Sequence, residues 1–544
     1  MRRAHRVEQV RAAEAELMAR LPEGTLMQRA AAGLAATCAR LLTRRRGRVY
    51  GSRVVVLAGS GDNGGDALYA GAALARRGAR VTAVLLAPGR AHVQGLAALR
   101  AARGRVVLEQ EVGLADFSCA DLVLDGIVGI GGRGGLRPEA EPYARADRRG
   151  VVVAVDVPSG VDADTGEVAG VALRADVTVC FGTYKPGLLI DPGASYAGAV
   201  QLVGIGLELP TSEVEALQHA EVAELLPVPG AESDKYRRGV VGVAAGSATY
   251  PGAALLAVAG ALRGGAGAVR YVGTAAEEVV RRFPEVLVTE GGPAGAGRVQ
   301  AWVVGPGGGE GARQALGEAL ASDVPVLVDA DGLTELGRLG PQALTGRTAP
   351  TLLTPHTGEA ARLLAGVGGS APPAADELAA ARLVTARRLA AAYRATVLLK
   401  GSTTVIADPG GAVRVNPTGT PWLATAGSGD VLAGLAGSLL AAGLPVLDAA
   451  SVAAYLHGLA GRHAASGAGV VGASGASGAV VVSGASGLPG GLGAVGAVGA
   501  VGAVGTPGAP VMAMQVAADL SAVWRDVRGS AGLAGAGAGA LVEE

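Results

Sequence analysis

This chain of 544 residues contains few cysteines and few aromatic residues, and it has no excess of positive or negative charge. Its three cysteines, Cys38, Cys119 and Cys180, lie far apart and form no CxxC pair, which argues against a disulfide framework or a zinc site and fits a reducing compartment. Lys and Arg together number 47, as do Asp and Glu, and no block of like charge stands out. This balance argues against nucleic acid or an acidic membrane surface as the main partner.

Targeting and membrane signals are also missing. The N-terminus has no apolar core of the kind that a signal peptide requires. One uncharged stretch, residues 240 to 262, is long enough to span a membrane, but Gly242, Gly246, Pro251 and Gly252 interrupt it. We therefore predict a strand, a loop and a buried helix there, no membrane partner, and a cytoplasmic location.

Lysine is rarer than its charge class suggests. Only Lys185, Lys235 and Lys400 occur among 47 basic residues, so arginine is the default cation of this chain. A lysine kept against that background marks a position where a compact ammonium is needed and a guanidinium does not fit, although chance is the alternative reading for each.

Apolar periodicity predicts two α/β units. Half of the residues are hydrophobic, and the length exceeds that of one ordinary domain. Residues 8 to 46 and 66 to 77 have helical spacing, and β-branched runs predict buried parallel strands. The strands expected in the first unit are 54 to 58, 81 to 86, 121 to 125, 151 to 155 and 177 to 181.

A second series of strands follows a Pro-rich linker near residue 228. Its expected strands are 239 to 245, 268 to 272, 301 to 304, 325 to 329, 351 to 353, 396 to 400 and 403 to 407. We place the domains at 1 to 215 and 222 to 544. Residues 464 to 510 carry no charge and consist almost wholly of Gly, Ala, Val and Ser, so we predict a flexible, dispensable insertion before helical spacing resumes near 514.

Three polar loops follow strands of the first unit. The loop Gly59 to Asp66 is glycine-rich and precedes a helix, which suits an anionic ligand, although a simple glycine-rich turn is the alternative. The other two loops begin at Asp125 and at Asp156. Because carboxyl ends of parallel strands share one edge, we expect a pocket there. Oxygens of Asn63, Asp125 and Ser159 could hold a monovalent or divalent hard cation.

These motifs carry a family resemblance. The segments 61 to 66, 156 to 160 and 181 to 187 together resemble the NAD(P)H-hydrate epimerase family over about residues 8 to 210. That resemblance implies a Rossmann-like α/β/α sandwich, exchange of the R and S hydrates at C6 of the nicotinamide ring, and a potassium ion on Asn63, Asp125 and Ser159. Two departures are Asp62, where the family usually has Asn, and Ala67, where it usually has Gly.

The same resemblance implies where the substrate would bind. The expected contacts are Asp62, Asn63, Gly64, Gly65, Asp66, Gly129, Ile130, Gly131, Gly132, Arg133, Gly134, Gly135 and Asp156. Asp156 is the candidate acid and base, because one carboxyl group can serve both the departure and the return of water at C6. Lys185 either stabilises negative charge nearby or pairs with a carboxylate.

The second unit contains Gly427-Ser428-Gly429-Asp430 at the start of a helix of small residues. Backbone N–H groups there can hold an anion, and Asp430 can accept the proton of a substrate hydroxyl, a combination that suits phosphoryl transfer. Lys400 and the hydroxyls that follow it suit nucleotide phosphates. We favour a ligand contact for His356 and a packing role for His457.

Together with motifs at 246 to 254, 305 to 307 and 354 to 359, this segment resembles ribokinase-like folds and, within them, the ADP-dependent NAD(P)H-hydrate dehydratase family. The resemblance implies phosphorylation of the hydrate hydroxyl and elimination of phosphate, with ADP and Mg²⁺. It places hydrate contacts on Ala253, Gly307, His356 and Asp430, and nucleotide contacts on Lys400, Gly401, Ser402, Thr403, Thr404 and Gly429.

The two resemblances support each other, because an epimerase supplies the S form that the dehydratase consumes. NADHX and NADPHX are therefore the expected substrates, with ADP as the second partner, and we expect a homo-oligomer. One alternative is a ribokinase-like small-molecule kinase with an accessory N-terminal domain. Another makes the N-terminal domain a non-catalytic binding module.

Overall fold

The computed structural model describes residues 1–108, 114–368, 371–466 and 508–538, and it contains two β-sheets with helices on both faces. The first sheet has seven strands and the second has eleven. The expected fold class, α/β with two layered units, is confirmed. No helix within the described ranges is long and apolar enough to cross a membrane.

The first unit alternates strands and helices, and its sheet is parallel throughout, in the order β4-β3-β2-β5-β6-β7-β8. In chain order the elements are β1 (Arg2–Ala4), α1 (Val7–Met18), α2 (Thr25–Arg46), β2 (Arg53–Ala58), α3 (Asp62–Arg76), β3 (Arg80–Leu85), α4 (Val93–Ala101), β4 (Arg105–Leu108), α5 (Leu114–Ser118), β5 (Leu122–Gly126), α6 (Glu141–Arg145), β6 (Val151–Val155), β7 (Val177–Phe181), α7 (Gly193–Ala197) and β8 (Ala199–Val203).

The second sheet is parallel from β16 to β12 and has a mixed edge, in the order β1-β9-β18-β17-β16-β15-β14-β13-β10-β11-β12. Its strands are β9 (Val214–Ala216), β10 (Val240–Ala244), β11 (Ala268–Val272), β12 (Leu287–Thr289), β13 (Ala301–Val304), β14 (Val326–Val328), β15 (Thr351–Leu353), β16 (Thr396–Leu399), β17 (Thr404–Ala407) and β18 (Val413–Asn416). Its helices are α8 (His219–Leu225), α9 (Pro251–Arg263), α10 (Ala276–Arg282), α11 (Ala312–Leu320), α12 (Ala330–Leu339), α13 (Thr357–Gly368), α14 (Ala375–Ala380), α15 (Arg382–Tyr393), α16 (Ser428–Ala441), α17 (Val446–Ser466) and α18 (Ala513–Ala538).

Alternating valines build a core on each face of both sheets. In β2, Val54 and Val56 belong to one buried cluster, and Val55 and Leu57 belong to the cluster on the opposite face. Strands buried on both faces read as continuous apolar runs, which explains why every predicted strand is found. Residues 240 to 262 likewise form β10, a loop and most of α9, as predicted.

Several expected boundaries differ. The predicted helix over 8 to 46 is two helices, because Pro22 and Gly24 lie between α1 and α2 and the φ angle of Gly24 is 77°. The helix expected from 66 begins at Asp62. The predicted insertion of 464 to 510 begins too early, since α17 continues to Ser466; residues 467 to 507 lie outside the described ranges.

Short edge strands were missed, and two of them link the units. β1 pairs with β9 at the edge of the second sheet, so residues 2–4 lie in the second sheet although they precede the whole of the first. The predicted division between residues 215 and 222 stays a prediction, and β9 spans its first limit.

Strand order also marks where ligands bind. In the first sheet the chain turns back between β2 and β5, and in the second sheet between β10 and β13. The crevice outside the carboxyl ends of strands at such a switch point is the usual ligand site of open α/β sheets.

Candidate active sites

The first candidate site lies where β2 ends and α3 begins. Gly61, with a φ of 94°, precedes α3, whose first turn carries Asp62 and Asn63. A Cβ on Gly64 would lie 2.6 Å from the carbonyl oxygen of Gly59, so this turn requires glycine. The close approach brings the first N–H groups of α3 to the carboxyl edge of the sheet.

Asp156 and Lys185 form a buried ion pair beside this turn. Asp156 follows β6 with a φ of 65°, a conformation that residues with a side chain rarely adopt. The N–H of Phe181 donates to Asp156 Oδ1 at 3.0 Å, and Lys185 Nζ donates to the same oxygen and to the Phe181 carbonyl at 3.0 Å. Within the described ranges every hydrogen bond to the Asp156 carboxylate reaches Oδ1. Of the two roles left open for Lys185, the structure shows the pairing with a carboxylate.

Two further carboxyl groups face this pair. Asp66 is buried, and its Oδ1 has no hydrogen-bond partner among the described residues. Burial, together with the charges of Asp156, Asp62 and Glu14, raises the pKa of Asp66 well above its ordinary value. Burial and Asp156 also raise the pKa of Glu14, which lies on α1. The site thus combines a carboxylate held by lysine with a neighbouring carboxyl group whose pKa is raised.

Asp125 and Ser159 meet at the ends of β5 and β6. Ser159 donates to Asp125 through its hydroxyl at 2.6 Å and its N–H at 2.9 Å, and burial raises the pKa of Asp125 to about 6. The side chain of Asn63 packs on Gly129, and its buried Nδ2 has no hydrogen-bond partner within the described ranges. These three side chains surround the same strand ends.

Two cavities flank the turn. One, of about 1000 Å³, is lined by Asp62, Asp66, Glu14 and Phe181. The other, of about 590 Å³, is lined by Gly59, Ser60 and most of the loop 129 to 135. The predicted contacts 62 to 66 and 129 to 135 therefore open mainly onto different cavities. They meet where Asn63 adjoins Gly129.

The second candidate site is built on α16. Gly427, with a φ of 85°, precedes the helix, and Asp430 lies in its first turn. A Cβ on Gly434 would lie 1.9 Å from the carbonyl oxygen of Ala257, so α16 approaches α9 more closely than any larger residue would permit. This contact explains the run of small residues and fixes where the first turn of α16 points.

Lys400 lies against that turn. Its Nζ is 2.8 Å from Asp329 Oδ1 and 3.6 Å from Glu359 Oε2. A Cβ on Gly429 would lie 3.4 Å from the same nitrogen, so the ammonium group directly adjoins the helix start. Burial alone would lower the pKa of Lys400, but Asp329 and Glu359 raise it above its ordinary value. The cation is charged at any physiological pH.

The pKa of Asp430 is shifted toward neutrality. Burial, followed by the negative charge of Asp329, raises its pKa to about 7, and Lys400 opposes that rise. A base with a pKa near the working pH both exists in the ionised form and accepts protons readily.

His356 follows β15 and points its ring toward Glu359. The N–H of Gly358 donates to Nδ1 at 3.0 Å, and Nε2 lies 3.5 Å from Glu359 Oε1. Burial lowers the pKa of His356, which favours the neutral ring. Because Nδ1 accepts the N–H of Gly358, the proton of the neutral ring lies on Nε2. His457, by contrast, is buried; its Nε2 donates to the Ser428 carbonyl at 2.9 Å and burial lowers its pKa to about 4, which confirms the packing role.

The other predicted contacts share this edge of the sheet. A Cβ on Gly307, where φ is 57°, would lie 2.6 Å from the Cβ of Ala253, so these two residues adjoin at the ends of β10 and β13. Residues 400 to 403 form the turn between β16 and β17, and Thr404 begins β17. Within the turn, Gly401 and Ser402 are exposed and Thr403 is buried.

Three residues of these sites, Asp329, Glu359 and Glu14, received no role from the sequence. Glu359 lies in the first turn of α13, within the predicted motif 354 to 359, and Asp329 directly precedes α12; both hold Lys400. Glu14 of α1 and the unpartnered state of Asp66 gave no signal, because both depend on contacts distant in sequence. The rarity of lysine was the one available clue, and Lys185 and Lys400 are the lysines of the two sites.

Fold and geometry define a two-unit α/β protein in which each candidate site combines a lysine with carboxyl groups at the carboxyl edge of the sheet. The model of the YjeF-related protein N-terminus matches residues 23–187, and that of NAD(P)H-hydrate dehydratase matches residues 241–480. The chain is 52% identical over 456 residues to the bifunctional NAD(P)H-hydrate repair enzyme Nnr of Mycobacterium tuberculosis, covering 83% of this chain and 92% of the relative. The enzyme of the same name from Mycobacterium leprae is 51% identical over 462 residues, covering 84% and 93%.

The chain belongs to the family of bifunctional NAD(P)H-hydrate repair enzymes. Among solved structures, an ADP/ATP-dependent NAD(P)H-hydrate dehydratase from Bacillus subtilis, co-crystallised with ATP and Mg²⁺, is 28% identical with a TM-score of 0.45. The match covers 58% of this chain and 99% of that one. The expected family assignment is confirmed for both units.

Proposed function

We propose that this chain repairs hydrated NADH and NADPH in two steps, with epimerisation in the first unit and nucleotide-dependent dehydration in the second. The observation that carries the proposal is the carboxyl group of Asp430, with a pKa of about 7, next to the ammonium of Lys400 at the start of α16. That arrangement supplies a base and a fixed positive charge at one helix terminus.

In the second unit, Asp430 accepts the proton of the C6 hydroxyl while that oxygen attacks the terminal phosphorus of the nucleotide. The bond from phosphorus to the nucleotide oxygen breaks, and with ADP the leaving group is AMP. Lys400 and the first N–H groups of α16 stabilise the charge on the transferred group. Cleavage of the C6–O bond and loss of a proton from C5 then release phosphate and restore the C5–C6 double bond.

Magnesium would enter this site with the nucleotide. The described residues contain no group of three or more carboxylate, histidine or cysteine side chains arranged to hold a metal by themselves. Mg²⁺ commonly binds through phosphate oxygens, water and one or two carboxylates, and Asp329 and Glu359 suit that role. When bound, the ion neutralises charge on the phosphates.

In the first unit, Asp156 acts as acid and then as base at C6. Its Oδ2 protonates the departing hydroxyl group, and the same oxygen takes a proton from the water that returns to the other face. Lys185 holds Oδ1 and so fixes the orientation of the carboxyl group. Asp66 lines the larger cavity, and its raised pKa makes it a candidate second proton donor there.

Potassium fits the group formed by Asn63, Asp125 and Ser159. All three offer oxygen atoms, and rotation of the Asn63 amide by half a turn would place its oxygen where Nδ2 has no partner. A bound cation would stabilise the ionised form of Asp125. We expect K⁺ to raise the thermal stability of the wild type and to leave Asp125→Asn unchanged; an equal shift in both would refute the site.

The experiment that tests the function uses the full chain and pure S and R hydrates of NADPH. The S hydrate with Mg²⁺ and ADP should regain the absorbance of reduced nicotinamide, whereas Asp430→Asn should give no return. The R hydrate should be repaired at the wild-type rate only when Asp156 is intact. Phosphorylation without return of absorbance would favour a small-molecule kinase, and equal R-hydrate rates for wild type and Asp156→Asn would favour a non-catalytic first unit.

The cytoplasmic location and the homo-oligomer stay predictions. The unpaired thiols of Cys38, Cys119 and Cys180 support a reducing compartment. Sedimentation of the purified chain measures its oligomeric state.

A further inference from the structure

A segment of the first unit reaches into the second beside its predicted nucleotide turn. After Lys185 the chain enters the buried cluster on one face of the second sheet, where Leu189 and Ile190 pack with Leu399 and Val405. The next residue, Asp191, then meets the turn between β16 and β17. Six positions in sequence therefore separate the lysine of the first site from a contact with the second.

The two carboxylate oxygens of Asp191 accept hydrogen bonds from different units. Oδ1 accepts hydrogen bonds from Ser195, at 2.9 Å from the N–H and 2.6 Å from the hydroxyl, which anchor it to its own unit. Oδ2 accepts a hydrogen bond from the hydroxyl of Ser402. The N–H of Asp191 donates to Thr403 Oγ1 at 2.9 Å.

Within the second unit, Arg382 contacts the same turn from its other side. Arg382 is buried; it donates to the carbonyl oxygens of Lys400 at 2.9 Å and Thr403 at 3.2 Å. A Cβ on Gly401 would lie 2.1 Å from the guanidinium, so the turn needs glycine there. Arg382 thus fixes the backbone of the turn, whereas the hydroxyls of Ser402 and Thr403 are oriented from the first unit.

We propose that Asp191 is a positioning residue for nucleotide binding: it sets the Ser402–Thr403 turn from the first unit, so that nucleotide affinity in the second unit depends on the first. The inference rests on the proposed function, in which Lys400 to Thr404 contact the nucleotide. A charge-assisted hydrogen bond between anchored partners holds one rotamer of Ser402, and its loss frees the turn to sample others. Asp191 touches neither the substrate nor the reacting atoms.

The test compares ADP affinity in the full chain, measured by calorimetry with Mg²⁺ and ADP, with steady-state dehydration and epimerisation. Asp191→Ala should raise the Kd and KM for ADP roughly three- to tenfold, with kcat and epimerisation near the wild-type values. Asp191→Asn keeps an acceptor oxygen for Ser402 and should be milder. Asp147→Ala, at an exposed carboxylate of the same unit, is the matched control and should change nothing.

A double-mutant cycle isolates the contact. If Asp191 acts through Ser402, the effect of Asp191→Ala on ADP affinity should largely vanish in a Ser402→Ala background. Wild-type ADP affinity in Asp191→Ala, or an equal loss in both backgrounds, would overturn the inference while leaving the proposed function standing. A wild-type chain that binds no ADP would overturn both. Should Asp191→Ala fold poorly, Asp191→Asn and the Ser402→Ala pair decide the same question.

Discussion

Asp430→Asn should abolish dehydration and at the same time stabilise the protein. The carboxyl group has an ordinary pKa of 3.8 and a pKa of about 7 in the folded chain, because it is partly buried and faces Asp329. The folded state therefore binds this proton more tightly than the unfolded state does. As pH rises from about 4 to about 7 the unfolded state loses its proton first, so ionisation of Asp430 progressively lowers the free energy of unfolding.

The size of this effect follows from the shift. One pKa unit corresponds to about 1.4 kcal/mol, so the full difference sets an upper limit of roughly 4 kcal/mol above pH 7. Asp430 keeps some exposure to solvent, which screens its charge, and about 1 to 2 kcal/mol is the expected gain for the uncharged amide. Below pH 4 the gain should disappear, because the wild-type carboxyl group is then neutral in both states.

Thermal denaturation of the full chain from pH 4 to pH 8 measures the gain, and dehydration rates over the same range measure the loss. Wild-type kcat/KM should fall as pH drops through about 7, because only ionised Asp430 accepts the proton. Asp376→Asn, at an exposed carboxylate of the same unit, controls for loss of charge and should give no gain. An Asp430→Asn protein that is less stable than wild type at pH 8, or that still dehydrates its substrate, would refute the reasoning.

Three other changes should give distinct results. Gly429→Ala places a methyl group 3.4 Å from Lys400 Nζ, so the affinity for ADP, measured by calorimetry, should fall. The stability of the protein should hold or rise, since alanine favours a helix. Unchanged ADP affinity would show that the nucleotide phosphate does not bind at this turn. Lys185→Met leaves Asp156 buried without its cation and should cost about 3 to 5 kcal/mol in urea unfolding, and adding Asp156→Asn should restore most of that loss; no recovery would show that the pair is not the source. The segment 467 to 507 should be removable with both activities retained, because its flanks meet where the N–H of Ala509 donates to the Ala465 carbonyl at 2.8 Å; loss of either activity would contradict a dispensable insertion.

Prediction from sequence succeeded where chemistry is local. Glycines at fixed spacing predicted the turn 59 to 66 and the start of α16, and runs of valine predicted the buried parallel strands. It failed where a short strand has too few residues for periodicity, as in β1 and β9. It also failed at the break between α1 and α2, where helical spacing on both sides concealed the turn.

Sequence alone predicted the two units and their central strands and singled out Asp156 and Asp430 as candidates, because each rests on a pattern within about ten consecutive residues. Only the tertiary structure decided which groups surround them. Lys185 neutralises Asp156, Asp329 and Glu359 hold Lys400, and Asp191 reaches Ser402 across 211 positions. The raised pKa values of Asp66 and Asp430 follow from burial and neighbouring charge, which depend on tertiary packing that no local pattern encodes.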